Sequence, residues 1–503
     1  MEIKKITRRK VVLFFGLLIS LTSFATTSNN HAESVWTKMA LNDLSTTKAL
    51  LLKDSPKAQA LNTHYSRWLN AGYILAEEKA KTINSYPGYI SVMQFYLNGF
   101  RDLHTSVVPL LKIINPSEKW PGFVVGERNK AVVVTYSNPN NYGKNIFPPI
   151  NARLISCDGL SVQKLIQSNI LPFDEVNPHY PATWSKAVPY LFVWGQNPFI
   201  HQPQQCIFLI NGHKKTYHLT WEVVENPSPL SLGIKNFQEK IEQAATGPTP
   251  NFEISPFGKH AVWISIPIFA YGLSTQGTTT TSLLNHIANQ VKKYRDKQIL
   301  VFDLRGNTGG DPEYMRPIII NLYGKAYLRN LGKRFIWNKP ESTLFLATNR
   351  NLQHMIQTNS PQAMIEGMKK AIASKKKYYF YHTQVLEKGD KNVQNPVKAK
   401  VILLTDGRCG SECNSFVMVM KSIPGVIQLG QPTASLTNST WNTVKVFSDS
   451  ASAIVYPTGL ILTPIIQDGS PIFPKYTYHG YMGNTEALKK WVLKLYKNDK
   501  LNF

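Results

Sequence analysis

Two segments of the sequence place residues where acyl chemistry could occur. The first, Val301-Phe302-Asp303-Leu304-Arg305-Gly306-Asn307-Thr308-Gly309-Gly310, runs from an apolar stretch into a glycine-rich loop. Glycines let backbone amides approach a ligand closely. Followed by a helix, such amides can hold an anion or an oxyanion. The segment lacks the Lys-Ser/Thr ending of a nucleotide phosphate loop. The second, Leu403-Leu404-Thr405-Asp406-Gly407-Arg408-Cys409-Gly410-Ser411-Glu412-Cys413, ends a strand, turns, and sets Ser411 where the next helix begins. A helix N-terminus favours developing negative charge, and the amide after the serine can join an oxyanion hole. A serine there can equally be a plain N-cap. A nucleophilic serine needs a base. Asp102-Leu103-His104-Thr105 offers one, because imidazole titrates near neutrality and can take up and return a proton. The alternative is a histidine that caps the end of the preceding helical region.

The two segments lie about 100 residues apart. Together they resemble the tail-specific, or C-terminal-processing, serine protease family and its Tricorn-like, His-dependent branch. That family has a strand ending in Asp-Leu-Arg-x-Asn-x-Gly-Gly. A second strand, a turn, the nucleophilic serine, a helix and Gly-x-Pro-Thr follow. Here Gly430-Gln431-Pro432-Thr433 begins 19 residues after Ser411. Asp102-Leu103-His104-Thr105 is similar to the Asp-x-His-Thr motif of the His-dependent members. Ile150-Asn151-Ala152-Arg153-Leu154-Ile155-Ser156-Cys157-Asp158-Gly159 is similar to a strand of the family's PDZ domain, with its leading Gly-Asp replaced.

The resemblance, over residues 90–495, implies an α/β fold with a crotonase-like (ClpP/crotonase) core and a serine-type endopeptidase that forms an acyl-enzyme on Ser411. It implies His104 as general base, a Gly309 or Gly310 amide with the Glu412 amide as oxyanion hole, and a protein or peptide substrate. No metal or organic cofactor is implied. Aligning Pro474 with the family's C-terminal Pro-Asp pair puts Asp468 at the acid that orients the imidazole, although Lys475 replaces the Asp of the pair. Asp102 and Glu486 are the other acids to consider. Two departures stand out. The Lys base of the processing branch, 25 residues after the serine, is Leu436 here, and the Glu three residues after the serine is Asn414. They leave room for a second reading, an inactive ligand- or peptide-binding protein on the same scaffold.

The positioning elements follow from the apolar pattern. Residues 36–112 recur near helical spacing and predict an N-terminal helical subdomain. Residues 120–225 hold short strands between Gly, Asn and Pro clusters, a β-rich, PDZ-like module. Residues 230–503 form the core, where strands at Ala261–Ile268, Ile299–Leu304 and Val401–Leu404 alternate with helices and predict a mostly parallel sheet. Such sheets carry their sites at the carboxyl ends of the strands. Residues 325–398 interrupt this core. Across 325–400 there are 15 Lys+Arg against 4 Asp+Glu. Met364, Met368, Ala371 and Ile372 give one apolar face and Lys369, Lys370 and Lys375–Lys377 a basic one, which either touches a membrane surface or an anionic substrate or is simply solvated.

Composition narrows the class. With 503 residues, 43% hydrophobic and 17% charged, the chain should bury sizeable cores in roughly two to four domains. Its net charge of +25 suits attraction to an anionic envelope or merely solubility. No zinc-finger spacing or RNP-type strand points to nucleic acid. Lys4, Lys5, Arg8, Arg9 and Lys10 precede the apolar run Val11–Phe24, and Ser23 and Ala25 offer a cleavage site. Residues 1–25 thus read as a signal peptide of an exported, periplasmic or secreted protein, with no later membrane span. Export permits disulfides. Of the three possible pairings, Cys157–Cys206 and Cys409–Cys413 keep each pair within one proposed domain; four free thiols are the alternative.

Overall fold

The computed structural model describes residues 33–60, 63–111, 118–138, 147–174, 179–223, 241–339, 341–382, 393–462 and 468–498. The proposed signal peptide lies outside them. Among the described residues no helix is long and apolar enough to cross a membrane.

The core sheet has six strands in the order Glu253–Phe257, Ala261–Ser265, Ile299–Asp303, Lys400–Thr405, Ile427–Gly430 and Tyr476–Thr477. All neighbours are parallel except the first pair. Side chains alternate across it, as period-2 strands require. Val262, Ile264, Leu300, Phe302, Val401 and Leu403 face the helices Thr280–Gln290, Pro312–Tyr323 and Glu412–Lys421. Trp263, Val301, Ile402 and Leu404 face the C-terminal helix Thr485–Lys497 through Leu488, Val492 and Leu495. Both faces are covered, which is why these strands read as unbroken apolar runs.

A second, five-stranded sheet is built on the long strand Ser452–Ile461. Ser106–Pro109, Ser342–Leu346 and Ser439–Val446 all pair with it antiparallel, and Tyr378–His382 extends it. The basic insertion is therefore woven into this sheet. The apolar face of its helix Gln362–Ala373 packs inward, with Met364, Ile365 and Met368 buried beside Phe345 and Met355. Only the lysine-bearing face is left for an outside surface.

The N-terminal helices Val35–Asp54, His64–Ala80 and Tyr86–Asn98 are each capped by a serine or threonine hydroxyl. Their core is continuous with Ile454 and Tyr456 of the second sheet and with Phe447, just past its strand Ser439–Val446. The helical reading stops at Asn98; Ser106–Pro109 is strand. The β-rich module is a six-stranded antiparallel sheet spanning Phe123–Arg128 to His213–His218. Cys157–Cys206 cross-links two of its paired strands, and Cys409–Cys413 brackets Ser411, the pairing expected from the domain argument.

Candidate active site

Strands Ile299–Asp303 and Lys400–Thr405 lie side by side and run in the same direction. Their following loops must therefore emerge together. The Asp406 carboxylate fastens one loop to the other: it accepts from the Gly306 amide at 3.1 Å and from the Arg408 backbone and guanidinium at 2.7–3.0 Å. The Gly410 amide donates to the Asn307 carbonyl at 3.2 Å.

The polar side chains of the glycine loop are scaffold. Asp303 and Arg305 form a buried ion pair, the aspartate also accepting from the Trp263 indole at 3.0 Å. Asn307 accepts from the Gly309 amide at 2.9 Å and donates to the Ile266 carbonyl at 2.8 Å. The Gly309 amide is thus already engaged by the Asn307 side chain. Gly310 pairs with Phe269 through the carbonyl before it and the amide after it, so its own N–H faces away from that bridge.

Ser411 sits at φ 49° and ψ −121°, and its hydroxyl makes no capping bond to the helix it precedes. It is exposed between buried Gly410 and partly buried Glu412. A non-glycine residue at positive φ carries strain of about 1–3 kcal/mol that the surroundings must sustain. Here Cys409–Cys413 closes a ring around it, and Gly309 lies so close that a Cβ there would sit 2.7 Å from Ser411 Cβ. The N-cap reading fails on the missing bond. Burial pushes the Glu412 carboxyl up to about 7, and one of its oxygens has no partner.

His104 comes from the other side, just before strand Ser106–Pro109. Its Nδ1 lies 2.8 Å from the Ser439 carbonyl oxygen. A carbonyl can only accept, so Nδ1 carries a proton, and in the neutral ring the lone pair lies at Nε2. The chain links the two groups: the Ala434 amide donates to the Cys409 carbonyl at 2.9 Å, and five residues later Ser439 holds the imidazole. That stretch can span at most about 17 Å. Among the described residues no hydrogen bond joins Ser411 and His104; such pairs are often looser without substrate.

Among the described residues Asp468 makes no hydrogen bond to the ring. Its carboxylate pairs with Lys57 at 3.0 Å and accepts from the Asn438 amide at 3.0 Å. Glu486 is exposed and pairs with Lys489. Asp102 is buried, accepts from the His104 backbone at 3.0 Å, and meets Lys57 at 2.8 Å. Burial alone would raise its pKa, but the Lys57 ammonium, then His104 and the hydrogen bonds, outweigh this and hold it at about 2. Leu436, where a Lys base would stand, is buried in the core cluster. Asn414 ties the serine helix to the Ala434 carbonyl at 3.3 Å. Sequence reasoning missed Lys57; a lone lysine in a Ser-Pro-Lys turn carries no signal of its partners.

An uncapped serine at a strand–helix elbow, a glycine loop beside it and a tautomer-fixed imidazole define a serine hydrolase scaffold. Residues 263–474, within the α/β core, match the sequence model of peptidase family S41. No curated protein matches the chain. Among solved structures, mature CPAF superposes with a TM-score of 0.61 at 14% identity, covering 93% of this chain and 99% of the other. Mature CPAF complexed with lactacystin gives 0.60 at 14% identity, covering 93% and 100%. At that identity the likeness is one of fold.

Proposed function

We propose that the protein is an active, exported serine endopeptidase using Ser411 and His104. The observation that carries this reading is the uncapped, positive-φ Ser411, held by Gly309 and the Cys409–Cys413 ring instead of serving the helix. Ser411 Oγ attacks the scissile carbonyl as His104 Nε2 takes its proton. The Gly310 and Glu412 amides receive the oxyanion. The C–N bond breaks, the amine leaves with the imidazolium proton, and water hydrolyses the acyl-enzyme by the reverse relay. The crotonase-like core carries this chemistry. The β-rich module is PDZ-like in this reading and holds a substrate carboxyl terminus or gates access.

A serine-directed fluorophosphonate probe tests the proposal. Labelling at Ser411 in the wild type, lost in Ser411→Ala and reduced at least about 100-fold in His104→Ala, is expected. No labelling of folded protein would refute it and favour a binding protein on the same scaffold. Lactacystin, seen in complex with CPAF, is a second probe. Export is tested by the N-terminus of protein recovered outside the cytoplasm, expected near residue 26. Any contact with an anionic envelope would run through exposed lysines such as Lys369, Lys370, Lys375 and Lys376 and vanish at high salt.

A further inference from the structure

The imidazole hangs on a chain of groups that reaches back into the N-terminal helices. Ser439, whose carbonyl accepts from His104 Nδ1, also donates its hydroxyl to Asp102. Asp102 accepts in addition from the His104 backbone amide at 3.0 Å, the Thr437 hydroxyl at 3.0 Å and Lys57 Nζ at 2.8 Å. A carboxylate has about four acceptor sites, so that group is saturated and has none left for the ring. Lys57 sits in the single turn Pro56–Gln59 with its side chain 7% exposed. Its ammonium has three protons and three partners: Asp102, Asp468 at 3.0 Å and the Thr437 hydroxyl at 3.4 Å.

Three consecutive residues are thereby pinned from the same ammonium. Thr437 is held by Lys57 and Asp102, Asn438 by Asp468, and Ser439 by Asp102. The arrangement has a clear hierarchy of burial. Asp102 is fully buried, and Asp468 has 40% of its side chain exposed. A buried carboxylate without a cation is strongly disfavoured, so Asp102 depends on Lys57 and Asp468 does not.

We propose that Lys57 is a positioning residue of the active site. It holds Asp102, and through Asp102 both the backbone of His104 and the carbonyl that fixes the imidazole tautomer. Asp468 is the outer counter-ion of Lys57 rather than the acid that orients the ring. This rests on the peptidase reading, so the wild type is measured first. If the fluorophosphonate fails to label wild-type Ser411, it is that reading that falls, and the present one with it.

With labelling established, the inactivation rate and the probe's half-saturation concentration are measured on the full chain, beside thermal melts. Lys57→Met should lower the rate about 100-fold, the cost of roughly 1 Å of misplacement, with half-saturation unchanged. Lys57→Arg, which keeps the cation, should recover to within about tenfold of wild type. Asp468→Asn should cost no more than about fivefold, whereas loss of a triad acid costs on the order of 10⁴. A folded Lys57→Met protein within about fivefold of wild type, a folded Lys57→Arg protein as slow as Lys57→Met, or an Asp468→Asn loss near 10⁴ with an intact melt each overturns the proposal. Should Lys57→Met not fold, the Lys57→Arg and Asp468→Asn results decide.

Discussion

Adding one methyl group at Gly309 tests how the nucleophile is held. Gly309 has φ +105°, and a Cβ built on it would lie 2.7 Å from the Glu412 nitrogen, 2.7 Å from Ser411 Cβ and 2.8 Å from the Gly410 carbonyl oxygen. Carbon contacts settle near 3.5 Å or beyond, so the glycine loop and the serine turn would have to part by roughly 0.8 Å. The backbone cannot swing away freely, because the Gly309 amide is bonded to Asn307 and its carbonyl to the Phe269 amide. The overpacking costs about 1–3 kcal/mol, and the positive φ adds about 1–3 kcal/mol of strain for a residue with a Cβ. Displacing a reacting group by about 1 Å costs on the order of 100-fold in rate. Gly309→Ala should therefore melt earlier than wild type and react with the fluorophosphonate between about 10- and 100-fold more slowly. The comparison uses matched concentrations below the melt of either protein. A Gly309→Ala protein labelled at the wild-type rate would show that the contact between the two loops does not set the position of Ser411.

Other consequences can be checked with the same protein. Asp43 is fully buried, bonded to Tyr89, and raised by burial from 3.8 to about 6. Its folded pKa exceeds its unfolded one, so stability falls as pH rises from about 4 to 6 and stays lost at neutrality. Asp43→Asn should stabilise the protein at pH 7 by about 2 kcal/mol and flatten that slope in chemical denaturation. Glu412, raised to about 7 by burial, has the same sign; Glu412→Gln should remove the decline in melting temperature between about pH 5 and 8. Arg305→Leu leaves the buried Asp303 without its cation and should cost about 3–5 kcal/mol. Replacing Cys409 and Cys413 together by alanine opens the ring around Ser411 and should cost roughly 2 kcal/mol of stability; slowed fluorophosphonate labelling, read with the melt, reports the loosened elbow.

Much of the core was legible because its signals are local. Unbroken apolar runs, the mark of strands buried on both faces, pointed to Ile299–Leu304 and Val401–Leu404, and glycines followed each of them. Parallel pairing of those two strands is what brings Gly309 to Ser411, and the strand–helix alternation already implied it. The disulfide pairing followed from domain boundaries for the same reason. The basic helix Gln362–Ala373 was legible as amphipathic, but not which partner its apolar face would choose; the neighbouring Phe345 and Met355 took it.

What the chain order alone determined, then, is the pair of loops, the serine at the helix start and the imidazole that could serve it. Only the tertiary structure decided how that imidazole is held. The Ser439 carbonyl, Asp102 and Lys57 meet through contacts between residues 45 to 337 apart, and Asp468 was drawn to the lysine from 411 positions away. A hydrogen bond or ion pair leaves no periodicity along the sequence. The cost of burying Asp102 without a cation is paid in three dimensions, and the fold settles which cation answers it.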